Sequence, residues 1–247
     1  MKRKRVAGSG VTKRPKKKTK TFQGAATRYV ARSPGVKAIT ETKYFDTEIA
    51  QTAILASATT WAGGELDPTV GLCLFFPTQG NAYNQREGRK TYVKKIKLNG
   101  WVICPAQQNQ VAADHGSTVR LIMYMDKQTN ASQSQAEDLM ASGNSTLPSV
   151  MFQNPANFGR FRVLKDKTIA FANPAMTYDG TNIEQGSLIR HFKMNIKFRQ
   201  PMVVNYNNTN GGTIADIVDN SFHFIGIVTG SGLAPEIAYK CRTVFCE

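Results

Sequence analysis

From about residue 42 onward the chain alternates apolar and polar positions in short runs. The stretch IKLNGWVIC alternates apolar and small residues at Ile96, Leu98, Gly100, Val102 and Cys104. VRLIMYM sets Val119, Leu121, Met123 and Met125 on one side, and HFKMNIKFR alternates most cleanly, with Phe192, Met194, Ile196 and Phe198 against Lys193, Asn195, Lys197 and Arg199. Period-two patterning over six to ten residues marks a half-buried strand. It predicts eight strands, near 42–55, 91–105, 117–126, 160–172, 188–199, 201–206, 220–229 and 236–246. Loops rich in Gly, Asn, Pro and Ser separate them. GLCLFF (71–76) has the look of a short extra strand, and only SQAEDLMAS, near 134–142, reads as a helix. Eight strands with long connections in 41–247, without an internal linker or repeat, predict one all-β domain: an eight-stranded antiparallel jelly roll or a related sandwich of two packed sheets.

Residues 1–40 carry no such pattern. Beyond Met1, their large apolar side chains are Val6, Val11, Phe22, Tyr29, Val30, Val36 and Ile39. That is too little to offset the entropy of ordering, so the segment is expected to be a disordered arm. Charge sharpens the division. The chain has 32 basic and 17 acidic residues, and thirteen of the basic ones lie in 1–40 with no acid among them, so 41–247 carries 19 against 17. The arm's cations are Lys2, Arg3, Lys4, Arg5, Lys13, Arg14, Lys16, Lys17, Lys18, Lys20, Arg28, Arg32 and Lys37.

A run of this kind reads either as a solvated charge stretch or as a polyanion grip. Its length and its freedom from acids favour the grip, in which neutralised phosphates release condensed counterions and affinity is strong but independent of base sequence. With no folded element to enter a groove, and only two aromatics for stacking, the arm has no means of reading bases. Lys4-Arg5 followed by Lys16-Lys17-Lys18 also has the spacing of a two-part nuclear localisation signal, and KRPKKK that of a one-part signal.

No apolar h-region follows the opening charges, and no run of about eighteen apolar residues exists to span a bilayer, so an intracellular chain without membrane insertion is expected. Cys73, Cys104, Cys241 and Cys246 form no C-x-x-C pair and lie far in sequence from His115, His191 and His223. Free thiols are therefore expected instead of a zinc site. Phosphate-cradling glycine loops, G-x-S-x-G, H-E-x-x-H and an acidic triplet for two metals are all missing, so neither enzymatic activity nor a cofactor or metal is expected.

Six stretches in order then resemble one family. QGNAYNQREGRKTYVKKIKLNG (79–100), VRLIMYMDKQTNA (119–131), RFRVLKDKTIAF (160–171), HFKMNIKF (191–198), DIVDNSFHFIG (216–226) and IAYKCRTVFCE (237–247) are similar to segments of capsid proteins of circular Rep-encoding single-stranded DNA viruses. RFRVLKDK is the most specific of them, and the arm matches in composition, though it is richer in lysine than the arginine-rich arms of one branch. The resemblance implies a single jelly roll that self-assembles into a T=1 icosahedral shell of about sixty copies. It implies that the shell packages viral single-stranded DNA through the arm, and that host import receptors carry the subunit to the nucleus before it becomes part of the virion.

Several residues carry two readings. Lys193, Lys197 and Arg199 form either a second, folded DNA-binding surface or a solvated outer face. Arg160, Asp166 and Lys167 are DNA contacts or loop-anchoring charges, and Asp126, Gln128, Thr129 and Asn130 read foremost as turn chemistry. Trp61 and Trp101 could stack on bases, with core or interface packing preferred. The long connections near 57–90, 127–159 and 173–187 are the candidate subunit contacts, and Trp61, Met151 and Phe152 are expected to be buried or against a neighbouring subunit. Two other classes compete with the shell subunit. One is a nuclear, non-specific DNA-binding β-sandwich protein that forms no shell; the other is a jelly-roll enzyme or lectin, against which the small number of histidines argues.

Overall fold

Period-two patterning becomes two packed antiparallel sheets in the structure, a computed structural model that describes residues 41–54, 73–104, 107–110, 117–134, 136–140, 150–171, 176–178, 183–229 and 235–247. The strands are β1 (Lys43–Ala53), β2 (Lys90–Cys104), β3 (Gln107–Gln110), β4 (Ser117–Asp126), β5 (Phe161–Phe171), β6 (Met176–Tyr178), β7 (Ile183–Gln185), β8 (Leu188–Tyr206), β9 (Ile217–Asp219), β10 (Ser221–Thr229) and β11 (Glu236–Cys246). One sheet runs β1-β11-β2-β8-β9, the other β10-β4-β5, and β3-β7-β6 form a small third sheet. The helix expected near 134–142 is present as the single turn Ala136–Leu139.

The jelly-roll connectivity rests on a piece of chain too short to be a strand. Cys73 bridges His223 of β10 in antiparallel fashion, and the Leu74 amide donates to the Phe222 carbonyl at 2.8 Å. Cys73 and Leu74 thus lie along the free edge of the second sheet, beside β10. Following the chain, β1, β2, β8 and β11 fall in one sheet, while the Cys73 segment, β4, β5 and β10 fall in the other. This is the alternation of a ribbon wound as Greek keys into a jelly roll.

Two of the expected strands prove to be one. The candidates at 188–199 and 201–206 are a single β8 whose register against β2 slips between Lys95↔Lys197 and Val93↔Met202. β8 spends three more residues than β2 across that gap, which makes a bulge holding Phe198–Pro201. Proline has no amide to give to a ladder, so it is accommodated where the ladder is already interrupted.

The inter-sheet core forms from the inward halves of these alternations. Ile96, Leu98 and Val102 of β2, Phe192 and Met194 of β8, and Tyr239 and Phe245 of β11 face Leu121, Met123, Phe222 and Phe224. Each such side chain contributes roughly 1.5–3 kcal/mol on burial. β4 departs from the expected one-sided pattern, being buried on both faces. Its outward Ile122 and Tyr124, with Ile225 and Ile227 of β10, form a second cluster capped by Leu139, Met140 and Phe161. The connection after β4 folds back over the sheet, so a half-buried strand becomes a fully buried one.

Candidate nucleic-acid interface

The outer face of the β1-β11-β2-β8 sheet sorts its charges by strand. Register places Asp46, Arg242, Lys97 and Asn195 in one row across the sheet, and Glu48, Lys240, Asn99 and Lys193 in the next. On the β1-β11 half the charges cancel. Arg242 makes a two-pronged contact with Asp46, at 2.7 and 2.6 Å, and Lys240 reaches Glu48 at 2.7 Å. On the β2-β8 half Lys95, Lys97, Lys193 and Lys197 make no ion pair with a carboxylate among the described residues.

Four rungs therefore run along the β2-β8 pair: Lys95 opposite Lys197, Lys97 opposite Asn195, Asn99 opposite Lys193, and Trp101 opposite His191. Outward residues on one strand recur every 6–7 Å, so the four rungs cover about 20 Å. At the far end the Trp101 ring meets His191 edge-on, 6.4 Å between centroids, and Trp101 stays 39% exposed. Beside that pair lies a depression bordered by Gly100, Lys193, Ala238 and Lys240.

Of the three cations expected on β8, Lys193 and Lys197 lie on this face. Arg199 falls in the bulge and lines a separate groove with Arg162 and Lys197. Lys95 and Lys97 were not among the expected contacts, although VKKIKLNG alternates as HFKMNIKFR does. Trp101 lies on the surface of the single chain and not in its core, as the inward placement of Gly100 and Val102 already required, which leaves base stacking and packing against a neighbouring subunit as its two readings. The thirteen cations of the arm and Trp61 lie outside the described residues. Met151 is half-buried and packs on the second cluster of its own chain, whereas Phe152 is 85% exposed in the single chain, with Val150 and Phe158 also exposed.

Arg86, Asp126, Arg160 and Asp166 are each bound within the chain. Asp126, fully buried, receives Nε and Nη2 of Arg160 at 3.0 and 2.8 Å and the Gln128 amide at 2.9 Å, which closes the turn after β4. The ion pair with Asp126 holds the Arg160 guanidinium charged more firmly than usual, against the burial that opposes it. Asp166 instead pairs with Arg120, whose Nη1 donates to the Met151 carbonyl at 2.6 Å and so fastens 150–152 over β4 and β5. Arg86, from the motif REGR, is fully buried; it donates to the carbonyls of Gly88 and Thr209 and stacks over the Tyr206 ring at 4.5 Å.

Thr129 donates to Ser221, which shares a 2.6 Å hydrogen bond with Nε2 of His223, and Gln133 meets the other ring nitrogen at 3.2 Å. Burial, with a smaller contribution from the Arg160 charge, lowers the His223 pKa to about 3. All four cysteines are free and buried, and burial pushes the thiols of Cys73 and Cys241 up to about 12. Among the described residues no group of three His, Cys, Asp or Glu side chains is gathered as a metal site.

No protein-family profile matches the chain, and no curated protein does. Among solved structures, the crystal structure of the T13 IBDV viral particle aligns over 83% of this chain and 39% of the other, at 8% identity and a TM-score of 0.18. The chain thus spans well under half the length of that viral-particle chain.

Proposed function

We propose that the chain is a viral shell subunit that self-assembles into a closed icosahedral capsid and packages single-stranded DNA. The observation that carries this reading is the pairing of a jelly roll with an arm holding thirteen cations and no acid. The arm neutralises phosphates by counterion release, and the lysine rungs of β2 and β8 form a second, folded contact on the same polymer. The exposed Val150, Phe152 and Phe158 on the opposite side are contacts for neighbouring subunits, since single chains rarely leave large apolar side chains grouped in water. Before assembly, Lys4-Arg5 and Lys16-Lys17-Lys18 direct the subunit to the host nucleus.

The test is deletion of residues 1–40, which removes none of the described strands. Negative-stain microscopy of the intact protein should show closed shells. The truncated protein should retain its β-sheet circular dichroism but lose co-purified nucleic acid, read by the 260/280 nm absorbance ratio, and its fluorescent fusion should stay in the cytoplasm. An intact protein that sediments as a monomer or dimer while holding DNA would instead make it a nuclear DNA-binding sandwich. Equal nucleic acid in both forms would remove the arm from packaging.

A further inference from the structure

The lysine rungs end on an aromatic pair, and that termination carries more information than the charge alone. A stripe of cations grips any polyanion, duplex or single-stranded, and even one without bases. Trp101 changes this. It lies one rung beyond Asn99–Lys193 on the same outer face, with its indole partly open to solvent and braced from one side by His191. The backbone around it is fixed, because β2 is paired on both sides, by β11 and β8. Ala238, opposite it on β11, puts no more than a methyl group beside the ring in the adjoining depression. An exposed indole held at the end of a phosphate-binding track is the arrangement that receives an unpaired base, whose π-face is free. A duplex keeps its bases stacked on one another and shows this flat sheet only its backbone.

We infer that the β2-β8 face is a track for an extended single-stranded polynucleotide, with Lys95 and Lys197 on one rung, and Lys97 and Lys193 on the next two, against its phosphates and one base stacked on Trp101. The inference rests on the proposed packaging role and adds to it a preference for unpaired strands that the arm lacks the means to supply. Spacing agrees: outward residues 6–7 Å apart along a strand are comparable with successive phosphates of an extended polynucleotide. Charge complementarity agrees as well, because the acids of this face, Asp46 and Glu48, are engaged by Arg242 and Lys240 at the other edge.

The test uses the full chain carrying Trp61→Phe, so that Trp101 is the remaining indole. Oligo(dT), a duplex of equal length and inorganic polyphosphate are titrated in parallel, with binding followed by anisotropy or competition and Trp101 followed by its emission. Oligo(dT) should quench Trp101, whereas polyphosphate and duplex should bind with little quenching. In the chain with Trp61 intact, Trp101→Leu should weaken oligo(dT) binding by roughly fivefold or more while leaving polyphosphate within about twofold. This second arm stands even if Trp61→Phe fails to fold. Bound oligo(dT) with unchanged Trp101 emission, or equal quenching by polyphosphate, overturns the stacking inference and leaves polyanion packaging intact. Failure of every polyanion to bind overturns both.

Discussion

At the scale of single residues, the buried polar groups behave as fasteners whose chemistry sets how the domain responds to acid. His223 lies wholly inside, stacked on Tyr124 at 5.1 Å and hydrogen-bonded to Ser221 and Gln133. Its folded pKa of about 3, lowered by burial and secondarily by Arg160, is well below the ordinary value of 6.5. The unfolded chain therefore binds a proton that the folded one refuses, so this residue's contribution is fully present above pH 6.5 and is lost as pH falls toward 3. Asp216 acts lower. Its burial favours the neutral form but is outweighed by hydrogen bonds from Thr209 and Thr213, which hold its pKa below 3.8. Between pH 6.5 and 4, urea unfolding of the truncated domain should lose up to about 1.4 kcal/mol per pH unit. A His223→Gln variant should be less stable at pH 7 but show a flatter slope. If the slope is the same in both, another group governs acid sensitivity. None of this is visible in NSFHFIG, since a histidine among aromatics reads the same whether it is buried or exposed.

At the scale of the element, the alternation along β2 and β8 is legible from the order of apolar and polar residues, including which side of each strand turns inward. What the pattern did not reveal was contact between inward positions on strands far apart in sequence, and Gly100 is the clearest case. It sits between Tyr239 of β11 and Phe192 of β8, and these two rings pack with Phe224 across the core. A Cβ at position 100 would lie 2.3 Å from the Ala238 carbonyl oxygen and 2.8 Å from the Phe192 ring. The carbonyl belongs to a paired strand and has little freedom to move. Gly100→Ala should therefore cost roughly 1–3 kcal/mol in denaturant unfolding. A loss under about 0.5 kcal/mol would mean that the strands part more readily than the packing implies. The splitting of β8 at Pro201 has the opposite origin. Proline signals a strand end in sequence, and only the register against β2 shows a bulge built to hold it.

At the scale of the whole molecule, net charge is a poor guide to what the folded part can bind. Residues 41–247 are close to neutral, with 19 basic and 17 acidic residues. Sheet order, which sets β1 beside β11 and β2 beside β8, gathers the paired charges into one half of a face and the unpaired lysines into the other. No local window contains that sorting, because β2 and β8 lie about ninety residues apart in the chain. It has a thermodynamic signature that separates the face from the arm. For single-stranded nucleic acid, the slope of log K against log salt grows by about 0.7 for each phosphate neutralised. Replacing Lys95, Lys97, Lys193 and Lys197 together with glutamine should make that slope shallower by about 3 in the full chain, and deleting residues 1–40 should do so by up to about 9. These side chains face outward and make no ion pair with a carboxylate among the described residues, so glutamine should leave unfolding midpoints nearly unchanged. If the fourfold variant keeps the full slope with oligo(dT), the lysine face does not touch the polymer, and the polymer is held by the arm alone.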